Sequence, residues 1–452
     1  MPKKESKDTE LMDKVVRLAR NRGFIFPGSE IYGGLQNSWD FGPLGAELKK
    51  NVKDLWWKMF VHERPDVVGI DANIIMNTRT WEASGHIDGF NDVLIECKDC
   101  HERYREDELD GGLKGTCEKC GTKAQFTSPA SFNTMFKTNL GPIESDDNVV
   151  YLRPETAQAM FVDFPEIARV SRKKLPFGIA QIGKAFRNEI TTGNFIFRLR
   201  EFEQMEIEYF IEPPKTKENW EKYFNQWLKE IRRWLKAVGV DMERIKEVEI
   251  PKNERAHYSG RTVDIEFQYP FGQKELYGLA YRGDYDLNAH EKSSGENLKY
   301  RDLKTGKELM PHVIEPSMGV ERTILAILLS AYTEEEVKTA KGDKEVRIVL
   351  KIPSIIAPYK VAILPLSDKP ELRKIAEKIR IELGKEISVD YDATQSIGKR
   401  YRRQDEIGTP YCVTIDFESL EDKKVTVRDR DTMKQERVKI EELRDLLKTK
   451  LT

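Results

Sequence analysis

The sequence is short of several things, and each shortage removes a class of protein. Net charge is almost absent: 75 Lys and Arg stand against 77 Asp and Glu in 452 residues. No global field therefore marks a nucleic-acid protein, and any RNA site must be a local patch. Long apolar runs are missing as well. Residues 1–30 hold no stretch of signal-peptide type, and the best membrane candidate, Ile348 to Leu366, is interrupted by Lys351, Pro353, Pro358 and Lys360. No membrane association is expected. Cysteine is scarce, at five residues, four of them in two C-x-x-C pairs. That usage suits a reducing compartment and a bound metal better than a secreted disulfide scaffold, which makes the cytoplasm the expected location.

What is present is length enough for two or three domains and a strong pattern of elements. Glu10 to Arg22 carries Leu11, Val15, Leu18 and Ala19 at helical spacing, with Gly23 as a stop. Leu44, Leu48, Val52, Leu55, Trp56 and Met59 recur on one face of a second helix. Cys97, Cys100, Cys117 and Cys120 form C-x2-C-x16-C-x2-C, the spacing of a four-thiolate zinc site with no open position for water. Ile179 to Phe186 and Phe202 to Phe210 read as antiparallel strands around a T-T-G-N turn, with Arg187, Glu189, Arg198, Arg200, Glu201, Glu203 and Glu206 in and beside them. Any one of these charges is explained by a surface ion pair. Residues 213–252 are charged and helical, with Trp220, Phe224, Trp227, Ile231 and Leu235 at helical spacing, and read as an inserted lobe. Strand and helix alternate from Lys360 onward, which indicates a small α/β domain, and we place the boundary in the proline-bearing stretch from Lys344 to Pro358.

Taken together, F-R-N-E at Phe186–Glu189, the arginine-bearing loop and R-E-F-E-Q-M-E at Arg200–Glu206 resemble motif 2 of class II aminoacyl-tRNA synthetases. Gly319-Val320-Glu321-Arg322, opening an apolar helix, resembles motif 3, and the second helix running to Pro65 resembles motif 1. F-P-G-S-E-I-Y-G-G, W-D-F-G-P-L-G, R-P-E-T-A-Q and E-P-S-M-G-V-E-R are similar to segments of the homodimeric glycyl-tRNA synthetase family. Three ordered motifs with family-specific flanks are a specific signal where a lone G-x-E-R is not.

The resemblance implies an α+β fold. Its parts are a catalytic antiparallel sheet flanked by helices over 1–355, a zinc-ribbon-like insertion at about 90–125, the helical insertion at 213–252, and an anticodon-binding α/β domain over 356–452. It implies ATP with Mg2+, glycine and tRNA(Gly) as substrates, structural Zn2+, and a homodimer. It also implies the site. Arg187 and Arg322 are the catalytic arginines, with Arg322 and Phe202 stacking on adenine and Glu189 on its amino group. Asn188, Phe197, Arg198, Leu199, Arg200, Glu201, Glu275, Leu276, Gly319, Val320 and Glu321 complete the ATP set. Arg198 and Arg200 are the candidates for the terminal phosphates, and Glu275 for Mg2+. Arg105 of R-E-D-E-L, Glu155, Phe202, Glu203, Gln204, Met205, Glu206, Glu315, Pro316, Ser317, Met318 and Gly319 are the glycine set, with Glu155, Glu206 and Glu315 around the ammonium group. In the C-terminal domain Lys399, Arg400, Tyr401, Arg402 and Arg403, read as a basic turn, combine charge for phosphate with a ring for a base. A synthetase-like accessory subunit that only binds nucleic acid is the alternative, as is an enzyme for another small amino acid; an accessory subunit is expected to lack the motif arginines, and these are present.

Overall fold

The structure, a computed structural model, describes the chain except residues 1–6, 107–108, 257, 303–304, 339–341, 343 and 452. The start of the polar N-terminal tail and two residues of R-E-D-E-L lie outside the described residues. Helices α1 (Lys7–Arg22) and α2 (Pro43–Trp57) follow the two helical patterns. Pro43 opens α2, where a missing N–H leaves no bond unmade. Leu48, Val52 and Trp56 of its stripe are fully buried within the chain, so this face is core. The segment between the helices folds back tightly: a Cβ at Gly45 would stand 1.9 Å from the Phe24 carbonyl oxygen.

Strand β1 (Val67–Gly69) reaches the central sheet first. The chain then leaves it for a three-stranded sheet of β2 (Asn91–Glu96), β3 (Arg103–Arg105) and β4 (Ala130–Asn133), ordered β3-β2-β4. The cysteine-bearing insertion therefore extends past 125, to Asn133. After α3 (Ala157–Val162) come β5 (Phe177–Phe186) and β6 (Glu201–Ile211), paired antiparallel with Glu201 opposite Phe186. Helix α4 (Lys217–Ala237) leads to β7 (Ile245–Glu249), β8 (Arg261–Tyr269) and β9 (Gly272–Gly283), then α5 (Tyr285–Ser294), β10 (His312–Gly319) and α6 (Val320–Ala331). The seven-stranded order is β7-β8-β9-β10-β6-β5-β1, antiparallel except for the β1–β5 pair.

Residues 213–252 are not a separate lobe. Phe224, Trp227, Ile231 and Trp234 of α4 share one core with α2, α6 and the sheet, and β7 is the edge strand of that sheet. Helical spacing shows that a helix has an apolar face, but not which partner covers it.

The boundary stretch also differs from expectation. Lys344–Leu350 is a strand, β12, paired antiparallel with β11 (Tyr332–Lys338). Ile352, Ile356 and Ala357 pack into the core of the larger body. Beyond them β13 (Val361–Pro365), α7 (Pro370–Leu383), β14 (Val389–Tyr391), α8 (Ile397–Ile407), β15 (Tyr411–Ile415), β16 (Lys424–Asp429), β17 (Gln435–Lys439) and α9 (Leu443–Leu451) build a five-stranded sheet ordered β14-β13-β15-β16-β17. Strand β13 runs parallel to both neighbours, and this module has its own core around Ile363, Leu372, Val413 and Val425.

Candidate active site

The side-chain alternation of β6 sorts the site from the core. Successive residues of a strand face opposite sides. Phe202, Gln204, Glu206 and Glu208 face the open side, whereas Met205, Ile207 and Tyr209 enter the main core. On β10, Glu315, Ser317 and Gly319 share the open side, and Glu206 stands opposite Ser317.

At one end is a cavity of about 150 Å³ lined by Arg187, Glu189, Phe197, Arg198, Phe202 and Arg322, with Leu199, Leu276, Gly319 and Glu321 also at its wall. Arg187 Nε donates to the Pro154 carbonyl at 3.0 Å, and its guanidinium lies 5.4 Å from the Phe202 ring centre. Arg322 lies 4.5 Å over Phe197, with Nη1 held by the Glu275 carbonyl at 3.0 Å and its carboxylate at 3.1 Å. Planar cations and aromatic rings lining one cavity can take a purine and a phosphate. The cavity continues into one of about 510 Å³ lined by Thr191 to Asn194, Arg198, Lys274, Glu275 and Arg322. Burial raises Glu189 above the usual carboxylate range, and Arg187 and Arg198 oppose this.

At the other end, carboxyls converge. Glu206 accepts from the Thr156 backbone N–H at 3.0 Å, Gln204 at 2.8 Å and Ser317 Oγ at 2.6 Å. Glu155 accepts from Gln158 at 2.9 Å and lies 3.3 Å from His86 Nε2. Arg282 donates Nη1 to both oxygens of Glu315, at 2.9 and 3.0 Å, and Nε and Nη2 to Asp286, at 2.8 Å each. Burial raises Glu206, with Glu155 adding to it, and pushes Glu315 up to about 8, with Glu206 and Glu155 adding against Arg282. Glu155 is held well below its usual range; burial opposes this, but His86 and Arg282 outweigh it. Acidic groups from four segments of the chain thus converge here around the buried Arg282 guanidinium.

Several expected residues stand elsewhere. Met205, Met318 and Val320 are wholly buried in the main core. Met318 sulfur accepts from Trp56 Nε1 at 3.3 Å, and Pro316 is buried at strand positions of the same parity. The Glu203 carboxylate meets Lys53 at 2.9 Å and Lys49 at 3.5 Å on α2, away from the acidic pocket. Glu321 is fixed by Lys49 at 2.6 Å and the Glu203 N–H at 2.9 Å. Asn188, Arg200 and Glu201 line a neighbouring cavity of about 840 Å³, where Arg200 donates to the Gln36 carbonyl at 3.3 Å. Of the two arginines expected at the terminal phosphates, only Arg198 lines the nucleotide cavities. Arg105 lies on β3, 3.4 Å from Asp92, and both charges act on Glu189 at the wall of the nucleotide cavity.

The largest correction is in the C-terminal module, where the basic turn is helix α8. Arg400 is fully buried and donates to the Pro365, Asp392 and Leu366 carbonyls. Tyr401 hydroxyl bonds Thr414 at 2.6 Å while Arg428 covers its ring. Arg403 pairs with Asp392, and Arg402 with Glu345 at 3.5 Å. These side chains hold the module together; Lys399 alone of the run is exposed.

Sequence reasoning missed Arg282, Asp286, Thr156, Gln158, His86 and Glu208 as organisers of the pocket. Thr156 and Gln158 stood in the quoted R-P-E-T-A-Q; for Arg282 and Glu208 only position on the open face of a strand could have signalled them. The four cysteine sulfurs lie within 4.8 Å of one another, with Cys97–Cys120 at 3.6 Å and Cys100–Cys117 at 3.5 Å. A tetrahedron with Zn–S bonds of about 2.3 Å has edges of roughly 3.8 Å, so the four thiols fit Zn2+.

Residues 136–331 match the model of the tRNA synthetase class II core domain (G, H, P, S and T), and residues 360–450 match that of the anticodon binding domain. The chain is thus built as a class II aminoacyl-tRNA synthetase. It is similar to the glycine–tRNA ligase of Thermobifida fusca, 48% identical over 98% of both chains. It is 51% identical to that of Clostridium perfringens, over 97% of this chain and 98% of the relative, and 50% identical to that of Geobacillus thermodenitrificans, over 97% of each. The chain belongs to the glycine–tRNA ligase family. No helix among the described residues is long and apolar enough to cross a membrane.

Proposed function

We propose that this protein activates glycine with ATP to glycyl-adenylate and pyrophosphate, then transfers glycine to the 3′-terminal adenosine of tRNA(Gly). One observation carries the reading: in a chain of this family, the acidic cluster of Glu155, Glu206 and Glu315 adjoins the cavity of Arg187, Phe202 and Arg322, since Gln204 and Ser317 line that cavity and donate to Glu206. The glycine carboxylate attacks the α-phosphate, and charge accumulates on phosphoryl oxygens. Fixed guanidinium groups stabilise that charge without reorganising, and no covalent nucleophile or general base is required. Mg2+ arriving with ATP would neutralise phosphate charge, with Glu275 as a hard oxygen ligand of the right kind. Carboxylates hold the ammonium, and Ser317 takes the space a substrate side chain would need. Exclusion of larger amino acids by overlap makes an editing step unnecessary for the smallest one.

The finer parts of the reading are a homodimer in the cytoplasm, Zn2+ on Cys97, Cys100, Cys117 and Cys120, and a catalytic region to 355 followed by an anticodon-binding module from 356. Lys399 is the exposed cation of the run offered to tRNA. Amino-acid-dependent ATP–pyrophosphate exchange tests the core of the reading. Exchange with glycine alone is expected; comparable exchange with alanine or serine, or none with glycine, overturns it.

A further inference from the structure

Glu208 is the group in the acidic pocket that the mechanism leaves unused. It is fully buried on the open face of β6, and among the described residues neither of its carboxyl oxygens has a hydrogen-bond partner. The β6–β10 register pairs Glu206 with Ser317 and Tyr209 with Ile314, which sets Glu208 directly opposite Glu315. Facing it are Glu315 on β10, Arg282 on β9, Asp286 on α5 and Glu206 on its own strand. Arg282 makes no hydrogen bond to it: the guanidinium spans Glu315 and Asp286, and its charge only partly offsets the burial of Glu208. Glu155 lies in the same pocket, and His86 and Gln158 are committed to Glu155.

Charge counting then constrains the state of the pocket. Glu155, Glu206, Glu208, Asp286 and Glu315 gather around the Arg282 guanidinium; His86 pairs with Glu155, and Arg153 and Arg187 bear on Glu206, so the acids still outnumber the cations. Like charges directly opposite on neighbouring strands repel, and two carboxyls close together in a dry site do not both ionise. An unpaired buried carboxylate is far costlier than an unpaired carboxylic acid.

We propose that Glu208 is a positioning residue of the glycine site: it keeps a proton in the Glu208–Glu315 pair before glycine binds, and the pair gives that proton to solvent when the ammonium group enters. The proposal rests on the glycine reading above. Glycine arrives as the zwitterion with its ammonium intact. One carboxyl O–H bond breaks, its electron pair stays on the carboxylate, and the proton passes to buffer, so the entering cation replaces a proton charge for charge. Burial and Glu315 together raise Glu208 well above the usual carboxylate range, in keeping with a group that is protonated until a cation arrives.

The test is calorimetric titration of the full chain with glycine near pH 7 in phosphate and in Tris, whose ionisation heats differ, together with the pH profile of KM for glycine in pyrophosphate exchange. Expected for the wild type is a binding heat that differs between buffers in the sense of proton release. KM should fall as pH rises, by up to about tenfold per unit, until the pair is ionised. E208Q, which keeps shape and neutrality, should bind glycine with most of the buffer difference gone and a flattened KM profile, a change that a purely structural role would not produce. Equal heats in the two buffers for the wild type overturn the proposal, as does an undiminished difference in E208Q. If E208Q does not fold, the wild-type comparison decides alone. Glycine binding without proton release defeats this proposal and leaves the functional reading standing; absence of glycine heat and of glycine-dependent exchange defeats the reading itself.

Discussion

Arg347 Nε donates to Asp405 Oδ2 at 2.7 Å, and neither side chain has any exposure. Arg347 belongs to the hairpin that follows the catalytic core, whereas Asp405 lies on α8 of the C-terminal module. The same carboxylate takes both Nη groups of Arg428, at 2.8 and 3.0 Å, and Arg347 also reaches Glu335 at 2.8 Å and the Arg430 carbonyl. The junction between the two bodies is a dry ionic knot.

Removing its acid should therefore be costly. Asp405→Ala leaves the buried Arg428 guanidinium without its carboxylate and Arg347 with the Glu335 carboxylate alone, and the expected loss is about 3–5 kcal/mol. Denaturant unfolding followed by fluorescence and by circular dichroism reads this. An unchanged midpoint would remove the knot from the account of stability.

A chain ending at Ile356 should lose more. It deprives Arg347 of Asp405 and Arg430 and uncovers Ile352, which Arg430 Nη1 caps through the carbonyl at 2.8 Å. We expect pyrophosphate exchange to fall together with tRNA charging, so that the two halves of the reaction do not separate cleanly at this cut. Full exchange with charging alone lost would show that the catalytic body stands without the knot.

Arg187→Lys should lower exchange by about 10²-fold or more while the melting temperature stays within a few degrees, since an ammonium cannot reproduce the planar fork. The lysine must reach without the brace that Arg187 Nε makes to Pro154. Steady-state exchange with a thermal melt on the same sample checks both halves; wild-type turnover would strike Arg187 from the catalytic residues.

Metal analysis of protein purified without chelator should find one Zn2+ per chain. Chelation should expose the four thiols to a thiol reagent and loosen residues 91–133 in hydrogen exchange, with a smaller effect on exchange kinetics, because a closed thiolate site supports folding. Absence of zinc, or full thiol reactivity in the native protein, counts against the site.

The pocket also sets a pH dependence of stability. Glu315 is raised to about 8 by burial and its acidic neighbours. Between the ordinary carboxylate range and that value the folded chain binds more protons than the unfolded one, so stability falls as pH rises through this window and levels off above it. Saturating glycine should offset the fall by bringing a cation. Melting temperatures from pH 5.5 to 8.5 with and without glycine test this; a rise with pH in the glycine-free protein, traced to this pocket by E315Q, would reverse the sign.

Much of this could be read from the sequence for a physical reason. Strand alternation, turn chemistry and the order of three motifs are local patterns, and β5, β6 and α6 form where those patterns place them. Residues carried over as contiguous windows fared less well: Met205 and Met318 sit among site residues in sequence, but a strand turns alternate side chains away. Arg400 shows the opposite failure. A run of four cations looks solvated because its partners are invisible locally, and here they are carbonyls at 365, 366 and 392. Arg282 was missed similarly, since its value comes from Glu315, which only the register of two strands brings near.

Glu321 has one more consequence. Its two oxygens hold the ammonium of Lys49 and the N–H of Glu203, the β6 residue just beyond the last pairing with β10, at Gln204 and Gly319. Against the burial that opposes it, Glu321 and Glu203 hold Lys49 above the usual lysine value. Loss of Glu321 strands both partners, leaving a desolvated ammonium and an uncapped amide, and loss of Lys49 leaves the buried Glu321 carboxylate without its cation. Lineages of this enzyme should therefore change positions 49 and 321 in concert or leave them alone, and a chimera that exchanges α2 between distant relatives will inherit half of a contract whose other half is written in α6.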